Sequence, residues 1–173
     1  VLHQPVTSGE VVLARASGTV RFPSRCLLVA SMAACPCGHF PTSRCRCTAE
    51  DRARYRARIP SRLDELFDLR VVVPLIDLAA RESQAAGESS ALIAERVAAV
   101  RALRGPPGST PSDVLEGAAR ALLSRAGDSV LVGSRSTFER VVRVALTIAE
   151  LEGKTTVAER HAAEAFELVC AVW

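Results

Sequence analysis

The chain has 173 residues, 49% of them hydrophobic and only 4% aromatic, with a formal net charge of +3. That length holds one domain or two small ones, with a core of Ala, Val and Leu that suits helix packing. No run of 18 apolar residues is present to span a membrane, and "VLHQPVTSGEVV" has neither the charged nor the apolar region of a signal peptide, so a cytoplasmic location is expected.

In chain order, "GEVVLARASGTVRFP" predicts a β-hairpin, with Gly18 available for positive φ and Pro23 as its end. "RCLLVASM", residues 25–32, is an apolar run of strand length, as a buried central strand would show. A cysteine-rich loop follows directly. "TAEDRARYRARI", residues 48–59, predicts a helix capped by Thr48, with Glu50 and Asp51 in its first turn and Pro60 as its breaker. "SRLDELFDL" reads as a short helix and "RVVVPL" as a second short strand.

From residue 76 on, the pattern is helical throughout. "SSALIAERVAAVRAL" has helical spacing, and "GPPGS", residues 105–109, is a loop. "TPSDVLEGAARALLSRAG" predicts a helix with Thr110 as N-cap, Pro111 at its first position and Gly127 as C-cap. "SRSTFERVVRVALTIAELEG" runs from a Ser134 cap to a Gly153 stop, and Thr156 with Glu159 forms a capping-box pattern before the last helix. The expected division is therefore α/β over residues 1–75 and all-helical over residues 76–173.

Charge divides the chain in a similar way. Residues 1–62 hold ten Arg and three acids, a net of +7, and residues 63–173 hold twelve basic and sixteen acidic residues, a net of −4. The first part is either a phosphate-attracting surface or a solvated basic face.

"CPCGHFPTSRCRC", residues 35–47, is the strongest local signal. Cys35, Cys37, Cys45 and Cys47 supply the four thiolates of a tetrahedral structural zinc, with His39 as a possible substitute ligand. The other reading is a set of reduced thiols packed in a loop. Cys26 and Cys170, in a predicted strand and helix, read as core residues. His3 and His161 stand alone and read as structural.

Two phosphate-site patterns fail. "LEGKTT" ends like GxxxxGK[ST], but Ile148 stands where the first glycine is required, and Gly153 closes a helix. Asp64-Glu65 lacks the apolar strand that should precede a magnesium-binding acidic pair, and both read as exposed residues of a short helix.

"LHQPVTSGEVVLARASGTVRFPSRCLLVASM", "CPCGHFPTSRCRCT", "RYRARI", "FDLRVVVP", "GESSALIAERVAAVRAL" and "RVVRVALTIAELEG" together resemble, in order, the magnesium-chelatase-like AAA+ ATPases, in their ComM/YifB branch. The resemblance implies a fold: an α/β core fragment, the second half of a AAA+ core, followed by an all-helical lid domain. It implies ATP and magnesium bound between ring subunits, with the chelatase branch acting on protoporphyrin and this branch on DNA recombination. It also implies that the phosphate loop and its acidic partner precede this chain, which would be a fragment or a truncated gene.

Against the family pattern, Ala33 replaces the sensor asparagine and Leu66 the arginine that reaches a neighbouring subunit. Arg62 lies one helical turn before Leu66, and Arg135 best matches the lid-domain sensor arginine, so these two are the candidate nucleotide-binding residues. The chain alone is expected to have no ATPase activity. Its expected partners are other subunits, an N-terminal ATPase half, and DNA. In a second reading, the chain is a degenerate, non-enzymatic Cys-rich module that binds DNA or protein. Arg44, Arg46, Arg52, Arg54, Arg56 and Arg58 are the candidate phosphate contacts in either case.

Overall fold

The structure, a computed structural model, describes residues 2–74, 87–104, 114–129 and 135–171. Among the described residues the architecture is mixed α/β, with one two-stranded sheet and many helices. It forms two compact units, one running to Asp68 and one beginning at Leu69.

The first unit opens with α1 (His3–Ser8), stopped by Gly9 at φ 69, whose N–H donates to the Pro5 carbonyl. The expected hairpin follows as β1 (Glu10–Arg15) and β2 (Gly18–Pro23), antiparallel, with Val11 opposite Phe22 and Leu13 opposite Val20. Those pairs make one apolar face, and on the other Glu10 and Arg21 form an ion pair at 2.7 Å. After the cysteine loop come α2 (Ala49–Arg56) and α3 (Ser61–Asp64), both shorter than the sequence suggests. Asp64 is half-buried in α3 and Glu65 is exposed just after it.

The expected central strand over residues 25–32 does not form. Leu27 is 89% exposed and Val29 80% exposed, and the described residues contain no strand paired with them. The run has the side chains of a buried strand, but a strand exists only through a partner's hydrogen bonds. Cys26, expected in a core, is exposed for the same reason. The second expected strand, "RVVVPL", makes no ladder over its described residues 70–74, and its Val73 is 81% exposed. Among the described residues of the first unit, Cys35 alone is fully buried.

The second unit has a conventional core. Its helices among the described residues are α4 (Ser90–Leu103), α5 (Gly117–Ser129), α6 (Arg135–Leu151) and α7 (Glu159–Cys170). Ser89 caps α4, its Oγ accepting from the Leu92 N–H at 3.3 Å. Helices α5, α6 and α7 enclose Leu123, Val141, Val169 and a row of small residues that includes Ala119, Ala145, Ala149, Ala162 and Ala165. Small side chains let these helix backbones approach closely, which is why a core with few aromatics still packs. Cys170 is half-buried against this cluster.

Three helix ends differ from expectation. Helix α5 begins at Gly117, because Leu115 instead forms a parallel bridge with Val157. It also runs through Gly127 to Ser129, so Gly127 is not its C-cap. Helix α7 begins at Glu159 and is capped by a histidine: the Ala158 N–H donates to His161 Nδ1 at 3.1 Å. Thr156, expected in a capping box there, donates to Glu116 at 2.8 Å instead. The Gly153 stop is as expected. Gly153 sits at φ 73, its N–H donating to Glu150 and the Lys154 N–H to Ala149, which closes α6 with paired backbone bonds. The "GPPGS" loop and the expected caps at Thr110, Pro111 and Ser134 lie outside the described residues.

Candidate metal centre

The loop from Cys35 to Cys47 brings four sulfurs together. All lie within 4.8 Å of one another. Cys35 and Cys37 are 3.4 Å apart, and each is 3.7 Å from Cys45. Four thiolates about 2.3 Å from a central zinc would stand about 3.8 Å apart, so the spacing fits a tetrahedral metal. All four are free thiols. Gly38, at φ 76, makes the turn that folds Cys35 and Cys37 back on each other, and its N–H donates to the Cys35 carbonyl at 3.0 Å.

Backbone N–H groups point at the sulfurs. The Phe40 N–H donates to Cys35 Sγ at 3.4 Å. The N–H groups of His39 and Arg46 serve Cys37, that of Cys47 serves Cys45, and that of Cys37 serves Cys47. Such bonds favour the charged thiolate that a metal needs. They hold the Cys37 thiol down to about 6, the His39 N–H first among them. Cys47 has the same help from the Cys37 N–H, but the neighbouring Cys37 thiol, burial and the Cys35 charge outweigh it and push Cys47 up to about 12. Four sulfurs this close repel one another once ionised, and a divalent cation among them reverses the sign of that interaction. The cluster can hold a metal such as zinc. His39, a candidate ligand by sequence, serves through its backbone: its carbonyl accepts from the Thr42 N–H and hydroxyl at 2.8 and 2.6 Å.

The cap of helix α2 is the residue after the last thiol. Thr48 caps it, its hydroxyl accepting from the Asp51 N–H at 3.1 Å while Asp51 accepts from the Thr48 N–H at 3.0 Å. The Thr48 backbone and hydroxyl, with Arg54 and Arg52 nearby, hold the Asp51 carboxyl below the usual carboxylate range.

The structure sorts the six candidate arginines, which the sequence alone could not do. Arg52 donates to the Cys47 carbonyl at 2.9 Å and lies over the Phe40 ring, so it fastens α2 to the loop. Arg46, Arg54 and Arg58 line one cleft beside Cys37 and Cys47. Arg44 is exposed and Arg56 half-buried, and neither borders that cleft. Spacing hints at this: residues 51, 54, 55 and 58 recur at helical intervals.

The described residues do not fit a site for ATP and magnesium. Ala33 and Leu66 carry no polar group, and Gly153, Lys154 and Thr155 form a helix stop rather than a phosphate cradle. Arg62 is exposed on α3, and Arg135 is the first residue of α6, its side chain outside the described set. No described helix is long and apolar enough to cross a membrane.

Comparison with known proteins gives a family. Residues 1–81 match the family model "Magnesium chelatase, subunit ChlI", and residues 112–168 match "Magnesium chelatase, subunit ChlI C-terminal". The chain is similar to the competence protein ComM of Haemophilus influenzae, 29% identical over 176 residues that take in 95% of this chain and 34% of that protein. It is also similar to the uncharacterized protein YifB of Escherichia coli, 36% identical over 101 residues, 58% of this chain and 20% of YifB. An uncharacterized protein of Mycobacterium tuberculosis is 31% identical over 170 residues, 90% of this chain and 33% of that protein. The chain thus spans about a third or less of the length of these curated relatives. With both matches in one order along most of its residues, the chain belongs to the magnesium-chelatase-like family.

Proposed function

We propose that this chain is the sensor and lid portion of a magnesium-chelatase-like AAA+ ATPase. It serves ring assembly and DNA processing, and it does not hydrolyse ATP alone. In this reading residues 1–75 are the second half of the α/β core and residues 76–173 the lid. Cys35, Cys37, Cys45 and Cys47 hold a structural zinc that fixes the loop after residues 25–32. Arg135 and Arg62 face nucleotide only when an ATP-binding half and neighbouring subunits complete the site. The family matches over both parts favour this over a free-standing module.

One observation carries the reading: the exposure of Leu27, Val29 and Val73 in two strand-length apolar runs. Burying such side chains is worth about 1.5–3 kcal/mol each, which a completed parallel sheet would recover. The test mixes the chain with the remaining, N-terminal part of Haemophilus influenzae ComM. Backbone hydrogen exchange at residues 26–32 and 71–74 should slow on mixing, and ATP hydrolysis should appear only in the mixture. Hydrolysis by the chain alone, or protection of those residues in the chain alone, overturns the proposal.

A further inference from the structure

From the cleft beside the thiol cluster we infer a binding site for the phosphodiester backbone of a nucleic acid. The cleft is about 390 Å³ and is complete within residues 36–58. Arg46 supplies one wall and stands between Cys45 and Cys47 in the chain, so the loop that gathers the sulfurs also carries this guanidinium. The other wall is the last turn of α2, with Arg54 and Tyr55, and Arg58 in the turn just beyond it.

Charge in the cleft points to an anion. Asp51 is the acid that borders it, and that carboxylate caps its own helix, standing 3.9 Å from Arg54. Among the described residues, Arg46 and Arg58 have no carboxylate partner. The neighbouring Arg52 is tied to Phe40 and Cys47 and takes no part. Three guanidinium groups around one open cleft suit a chain of phosphates better than a single ion, because each is a fork that can take a different phosphate oxygen pair. Tyr55 adds one ring against which a base can stack, too little for sequence reading. The site therefore binds nucleic acid by backbone, without base preference, which extends the DNA-linked role proposed above while needing no ATPase partner.

The competing role for these arginines is to balance the negative charge of the metal-bound thiolates. A labelled single-stranded 20-mer and its duplex, titrated by anisotropy at several salt concentrations, separate the two, with metal content measured on every variant. Arg54→Gln with Arg58→Gln should weaken binding at least tenfold at low salt and leave the metal in place. The slope of log K against log salt should flatten by about 0.7 per arginine for the single strand. Arg54→Lys with Arg58→Lys keeps the charge and should retain most of the binding. An equal loss from Arg44→Gln or Arg15→Gln would mean diffuse attraction and would overturn the site. Loss of metal with unchanged binding would assign the arginines to the thiolates, and displacement of the 20-mer by micromolar ATP would assign the cleft to free nucleotide. Either result overturns the inference without touching the ATPase reading.

Discussion

The Arg52 guanidinium carbon lies 4.5 Å from the centre of the Phe40 ring, and the same group donates to the Cys47 carbonyl at 2.9 Å. One side chain thus joins the turn after Cys37 to the residue that ends the thiol cluster. A guanidinium over an exposed ring is worth about 0.5–1 kcal/mol, and its bond to a carbonyl about as much again. Arg52→Ala should therefore loosen the loop by about 1–2 kcal/mol without touching a thiol. A chelator challenge should show faster metal loss, while Arg56→Ala on the same helix should leave the rate unchanged.

Metal content is the direct test of the cluster. Elemental analysis should find about one zinc per chain, bound by four thiolates. The four loop thiols should be shielded from a thiol reagent until chelator is added, with exposed Cys26 reacting from the start. Cys47→Ser should abolish stoichiometric binding. Four freely reactive loop thiols in a metal-replete preparation would rule out the centre.

The two units should answer differently to loss of a side chain. Leu123 is fully buried among α5, α6 and α7, so Leu123→Ala should cost about 2–5 kcal/mol in urea unfolding. Leu27→Ala, at an exposed position, should change stability by about 0.5 kcal/mol or less. Equal effects would show that residues 25–32 are packed in solution.

Glu152 joins the end of α6 to the start of α7, taking an ion pair from Arg160 and a hydrogen bond from His161 Nε2 at 3.1 Å. Arg160 first, then His161, hold its carboxyl below the ordinary value of 4.5. A depressed carboxylate stabilises the fold above its unfolded pKa, and that contribution is lost as pH falls through the folded value. Glu152→Gln should therefore lower the melting temperature at pH 7 and narrow the gap to the parent below pH 4.5. A constant gap from pH 7 to acid would remove the ion pair as its cause.

Local signals were legible where they act alone. The hairpin, the Thr48 cap and the Gly153 stop each depend on residues within one turn, and all appear as read. The four cysteines were legible because thiol number and spacing are themselves the chemistry. Partnered features were not. Val157 pairs with Leu115 across 42 residues, and no local pattern marks it. His161 caps a helix that Thr156 was expected to cap, since a threonine signature says nothing of a more distant Glu116. The run "RCLLVASM" carries strand propensity, but propensity cannot supply the neighbouring strand.

The adjacency of Cys47 and Thr48 has a consequence for how this part of the chain becomes ordered. Helix α2 is eight residues long, shorter than the roughly 12–15 that an isolated helix needs to persist in water. Its first turn is the costly one, because several backbone angles must be fixed before any helical bond forms. Gathering the sulfurs fixes the backbone up to Cys47, and the Thr48–Asp51 box begins at the next residue. The thiol cluster is thereby the nucleus of the helix, and opening it should melt α2 in the same cooperative step.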